Sequence, residues 1–189
     1  MKIAGEYSFN NGKSIIEEGY SELLSEVKQI IDGVNAQDHL KKKSQEKVML
    51  GKMLYSPKSL NKAFKDGFAE LGWHTEKVKC DYPKQFYVDD QVSIHDTKDA
   101  FREMDFIKGR LGGEIQFAGY SSKVFNLTTK MTIFHNLGYI DVGIEIVPLK
   151  PFANNMSTGV SFFEQFVWDL EHRGVADIDI PVLVLGIVP

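Results

Sequence analysis

The stretch PVLVLGIVP, residues 181–189, has no charged side chain and no side-chain hydroxyl or amide. It is the longest apolar run of the chain and falls well short of the ~20 residues that span a bilayer. A short, β-branched run of this kind predicts a strand, Val182–Val188, buried on both faces. Such a strand needs cover on two sides, so the rest of the chain must supply helices or a second sheet.

Helical periodicity supplies that cover. Ile15, Ile16, Tyr20, Leu23, Leu24, Val27, Ile30 and Ile31 recur at helix spacing over Ser14 to Ile31, with Gly33 as the stop. A second helix is expected over about Asp38 to Leu50. A third is marked by Ser56 as N-cap, Pro57 at the first helical position and Gly72 just past the end. Its Leu60, Phe64, Phe68 and Leu71 form an apolar stripe, and Lys58, Lys62 and Lys65 form a basic one. Residues 77–104 mix strand-like and turn-like pieces. A strand is expected over Gly113–Phe117 and a helix over Ser121–Leu137, closed by Gly138, with Val124, Leu127, Met131 and Phe134 inward. A further strand is expected over Ile140–Val147, with Ile140, Val142, Ile144 and Ile146 on one face. A last helix is expected around Phe162–His172. This order predicts an α/β sandwich around a mixed sheet, in one domain covering residues 1–189.

The balance of 43% hydrophobic and 25% charged residues is that of a globular chain and not a disordered one. A single cysteine, Cys80, excludes an intramolecular disulfide framework and fits a reducing cytoplasm. No zinc-like Cys/His spacing occurs, and residues 1–13 lack the pattern of a signal peptide. The net charge of −4 hides an asymmetry. Residues 41–84 hold 11 of the 22 Lys and Arg against five acids. A basic segment on an acidic body can steer a polyanion, although a solvated helix face explains it equally.

The run EMDFIKGRLGGEIQFAGY, residues 103–120, carries the chemistry. On a strand, Glu114 and Gln116 project from one face, and Ile115 and Phe117 from the other. With Asp105 nine residues upstream of Glu114, these groups offer the oxygen ligands that Mg²⁺ takes. The same spacing also suits two solvated surface acids. Asp141 and Glu145, four apart on a strand, are a rival pair, expected to act in salt bridges or caps.

Together with EKVMLGKMLYSPKSLNKAFKDGFAELGW (46–73), YIDVGIEIVPLK (139–150), MSTGVSFFE (156–164) and PVLVLGIVP (181–189), the run resembles type II restriction endonucleases of the BamHI/BglII group. The E-x-Q variant of the PD-(D/E)xK motif marks the BglII and BstYI branch. The resemblance implies a restriction-endonuclease-like fold, a central mixed β-sheet flanked by helices. It implies hydrolysis of double-stranded DNA with Mg²⁺ held by Asp105, Glu114 and the Ile115 carbonyl, and with Gln116 orienting the attacking water. Glu76, in the W-x-x-E run from Trp73, falls where BamHI has a further active-site Glu. An amide such as Gln116 is no general base near neutral pH. The proton is therefore left to water on the metal or to a neighbouring phosphate.

The resemblance also places DNA-binding residues after the catalytic strand, Gly119 and Tyr120 among them, with Ser121, Ser122 and Asn126 there and Asn154, Asn155, Ser157 and Thr158 in a loop as the candidate base readers. Turn and cap chemistry uses the same residue types. Lys43, Lys58 and Lys62 are candidate phosphate contacts. Where BstYI has Gly-Lys-Tyr after E-x-Q-F, this chain has Ala118-Gly119-Tyr120. A palindrome with a GATC core, of the RGATCY form, is expected, cut by a C2 homodimer. The helix over 121–137 and the N-terminal helix are the expected dimer contacts. A cognate DNA methyltransferase belongs to such systems without being a bound partner, and no membrane association is expected. The rival functions are a dimeric DNA-binding protein that has lost its chemistry and a repair or structure-specific nuclease on the same fold.

Overall fold

The computed structural model describes residues 1–83, 85–88, 100–117 and 123–189, without the side chains of Lys42 and of residues 123–127. The apolar C-terminal run forms β8 (Val182–Val188). It lies between β1 (Lys2–Phe9), antiparallel, and β7 (Val142–Pro148), parallel. The sheet continues through β6 (Leu111–Ile115), β5 (Phe101–Lys108) and β4 (His74–Lys79), giving the order β1-β8-β7-β6-β5-β4. The pairs β6/β7 and β7/β8 are parallel, and the others antiparallel. Central strands β6 and β7 are buried along their whole length, as strands covered on both faces must be.

Helices α1 (Gly12–Gly19), α2 (Ser21–Gly33) and α3 (Pro57–Glu70) cover one face. Their Ile16, Val27, Ile31, Leu60, Phe64 and Phe68 pack on Phe106, Ile115, Ile144 and Leu185. On the other face α4 (Lys123–Asn136) and α6 (Phe163–Arg173) place Met131, Phe134, Phe166 and Leu170 against Met104, Val147 and Val184. A short α5 (Lys150–Ala153) follows β7. Among the described residues no helix is long and apolar enough to cross a membrane.

Several expectations are corrected. The helix expected over Asp38–Leu50 is a 3-10 turn (Ala36–His39) followed by an antiparallel arm, β2 (Leu40–Lys43) and β3 (Met53–Tyr55). Leu40, Val48 and Leu50 make no helical stripe, and Gly51, at φ 79°, closes the arm by donating its N–H to the Ser44 carbonyl. The single helix over Ser14–Ile31 is two helices, because Gly19 ends the first and Tyr20, at φ −138°, turns the chain. Tyr20 O then accepts from Leu24 N to open α2. The strand over 140–147 begins at Val142, and Ile140 packs on the α4 side, away from Val142, Ile144 and Ile146. β1 had no counterpart among the expected elements. In α3 the predicted caps are present: Ser56 Oγ accepts from Ser59 N, and Gly72 takes φ 80°.

Candidate active site

The β5/β6 ladder runs from Lys108/Leu111 to Phe106/Gly113, and beyond it two carboxylates link the strands. Asp105 N donates to Glu114 Oε1 at 3.2 Å, and Ile115 N donates to Asp105 Oδ2 at 3.3 Å. Side chains thus replace the ladder where it opens, and both acids are fixed by backbone. On its other edge β5 is bulged: His74 faces Ile107 while Glu76 faces Met104, so Thr75 spans two β5 residues. Thr75 Oγ1 donates to the Asp105 carbonyl at 3.0 Å. Bulges of this kind re-aim a side chain beside a functional site. Here the bulge turns Asp105 toward α3.

Aromatic packing holds this geometry. Phe106, next to Asp105, stacks on Phe68 with centroids 3.7 Å apart. A Cβ on Gly113, next to Glu114, would stand 2.0 Å from the Phe106 ring, so only glycine allows the ring to lie there. Phe68 and Trp73 also meet edge to face at 5.3 Å.

Asp105 lines a cleft of about 780 Å³ with Ser56, Lys58, Lys62, Lys65, Ile115 and Ser157. The basic stripe expected on this helix therefore faces the first carboxylate. Lys65 Nζ lies 3.1 Å from Asp105 Oδ1 and 3.5 Å from Glu103 Oε1. Burial pulls the Lys65 ammonium down, but Asp105 and Glu103 outweigh it and hold its pKa above the ordinary value. On the opposite side Lys130 Nζ, from α4, lies 2.6 Å from Glu114 Oε2. Burial, then the charge of Asp105, pushes Glu114 up to about 7 against the opposing pull of Lys130. A second cavity, about 470 Å³, is lined by Gln116, Lys130, Glu103 and Thr129.

Gln116 lies just past β6, its N–H bonded to the Ile146 carbonyl at 2.9 Å, and its side chain is on the Glu114 side as alternation requires. Glu76 stands on β4 opposite Met104, 3.8 Å from His74 Nε2. Ser157 shares the Asp105 cleft. Thr158 N donates to Glu46 at 3.3 Å, and Asn155 Nδ2 to the Pro151 carbonyl at 2.8 Å. Asn154 caps α5, and Lys43 lies on the β2/β3 arm. Gly119, Tyr120, Ser121, Ser122 and the Asn126 side chain lie outside the described residues. Of the rival pair, Asp141 precedes β7 and is held by Arg110 and Tyr20. Glu145 is buried in β7, in register with Glu114.

Sequence reasoning missed Lys130 and Glu103. Glu103 had a signal, an acid two residues before Asp105 on the same strand. Lys130 had none, being 14 residues beyond Gln116 on another element.

Carboxylates bracing the open end of two strands in a mixed sheet between helices belong to the PD-(D/E)xK restriction-endonuclease fold. The structure is similar to the crystal structure of restriction endonuclease BglII complexed with a DNA 16-mer, at TM-score 0.74 and 21% identity, covering 100% of this chain and 79% of that one. Free BglII gives a TM-score of 0.67 at 21% identity, over 100% and 80% of the two chains. A search of curated proteins finds no match. The model of the family described as restriction endonuclease BglII/BglIII matches residues 4–187, and the chain belongs to that family. It is a type II restriction endonuclease of the BamHI/BglII group.

Proposed function

We propose that the protein cuts double-stranded DNA at a short palindrome with a GATC core, of the RGATCY form, as a Mg²⁺-dependent homodimer. The observation that carries the catalytic part is the mutual bracing of Asp105 and Glu114 by backbone amides at the open end of β5 and β6. Among the described residues no group of three or more His, Cys, Asp and Glu side chains is assembled. Mg²⁺ binds through one or two carboxylates and completes its shell with water and phosphate. The donors are oxygen only, and two lysine ammoniums already stand against them, so the place attracts cations. Asp105, Glu114 and the Ile115 carbonyl would hold the ion. When bound it would relieve charge at the phosphate and acidify a water.

The side chains supply the rest. Gln116 orients a water by hydrogen bonding and takes no proton. Lys58, Lys62 and Lys65, along the Asp105 cleft, draw the DNA backbone in and fix its register without reading sequence. Ser157, in the same cleft, and the neighbouring Asn154, Asn155 and Thr158 present polar groups to base edges. Glu76, one residue before Asp105 across the ladder, adds an acid to the edge of the site. The dimer supplies one such site per strand about a shared dyad. A gel shift in Ca²⁺ tests the assignment: Asp105→Ala is expected to retain sequence-specific DNA binding and lose all cleavage in Mg²⁺. Cleavage at the wild-type rate in that folded variant would refute it.

A further inference from the structure

The E-x-Q motif removes the usual lysine from the catalytic strand, yet a lysine reaches the site from α4. Lys130 Nζ sits 2.6 Å from Glu114 Oε2 and donates to the Glu103 carbonyl at 3.0 Å. Glu114 is 2% exposed, and the Lys130 side chain 21%. We propose that Lys130 is a placeholder cation, occupying the Glu114 carboxylate in the metal-free protein and yielding its place when a divalent ion binds.

This rests on the metal-site reading above. A buried carboxylate beside a second acid needs a positive charge near it. Among the described contacts, the groups that meet Glu114 are Lys130 from α4 and the amide of Asp105, itself the nearby acid. An ammonium at 2.6 Å and a divalent ion on the same carboxylate repel strongly in a site of low dielectric. Lysine has a flexible four-carbon stem that lets the ammonium give way to the ion. The cavity lined by Glu103, Gln116, Thr129 and Lys130 gives the ammonium somewhere to go without unfolding α4. Lys65 is the weaker competitor. It bridges Asp105 at 3.1 Å from a side chain that is 45% exposed, where solvent screens it. Lys130 is thus a positioning residue that acts through Glu114 and sets how tightly the site takes its ion.

The test is Mn²⁺ affinity, measured by calorimetry or EPR without DNA, with wild type and variants compared across the same pH series. Lys130→Met is expected to bind Mn²⁺ about tenfold more tightly than wild type, and Lys130→Arg to stay close to it. Unchanged or weaker binding in Lys130→Met would overturn the placeholder. Asp105→Ala separates this failure from that of the site itself. If wild-type Mn²⁺ binding is absent, or survives Asp105→Ala unchanged, the metal site is wrong and the placeholder falls with it. Wild-type protein offers a check that needs no variant. Reductive methylation of Lys130, followed by mass spectrometry, is expected to rise severalfold with saturating Mn²⁺; no rise would overturn the proposal.

Discussion

Asp179 and Glu114 are both buried carboxylates beside a single basic side chain, and their pKa values move in opposite directions. Asp179 is 7% exposed, and burial alone would raise it. Two bonds from the Arg173 guanidinium and one from Ala176 N outweigh burial and hold the carboxyl below its usual range. Glu114 receives one ammonium and one amide while facing Asp105, and it rises to about 7. Glu26, bonded by Lys108 and Trp73, and Asp141, bonded by Arg110 and Tyr20, behave like Asp179. Asp179, Glu26 and Asp141, away from the cleft, are each bonded by several donors. The acid at the strand end is short of donors and placed against a like charge, a pattern typical of functional sites. A further cation is worth most there.

Four outcomes would break or sharpen that contrast. The largest concerns chemistry. Glu114→Gln is expected to lower cleavage by at least about a thousandfold, a loss of roughly 4 kcal/mol in transition-state stabilisation. Asp179→Asn is expected to leave the rate per folded molecule unchanged; equal losses would erase the distinction. The next is pH-dependent stability. Because the folded pKa of Glu114 is raised, its contribution is present below the unfolded value near 4.5 and is lost as pH rises through 7. Urea denaturation should show wild type losing on the order of 3 kcal/mol relative to Glu114→Gln across that window. Parallel profiles would contradict the raised value.

Asp179 has the reverse sign. With its folded pKa lowered, its stabilisation is present above the unfolded value and is lost as pH falls through the lowered one. Asp179→Asn is expected to cost about 2 kcal/mol at neutral pH and to converge with wild type in strong acid. The smallest effect lies at the cleft wall. Lys58→Ala and Lys62→Ala should each weaken DNA binding similarly on every sequence and reduce the salt slope by about one. A sequence-dependent loss would make either lysine a reader of bases.

What the sequence reveals follows from how local the determining forces are. α3 and β8 were legible because cap, proline and apolar pattern all lie within the element. The alternation of Glu114 and Gln116 against Ile115 and Phe117 was legible for the same reason. The β2/β3 arm was misread, because its Lys-rich strand is defined by pairing with Met53–Tyr55 and not by its own pattern. β1 carries no local signal, since its extended form depends on β8, more than 170 residues away. In the site, the acids were visible as a motif. The bulge at Asp105, the Phe106 ring over Gly113 and the reach of Lys130 arise only once strands and helices pack.

The braced carboxylates are expected to cut DNA at a fixed sequence. Digestion of a fully sequenced plasmid with Mg²⁺ or with EDTA, followed by sequencing of every end, tests this most directly. Discrete fragments whose ends share one palindrome around GATC, absent in EDTA, are the expected result. Intact plasmid bound equally well in both conditions, or ends scattered without a common sequence, would contradict it.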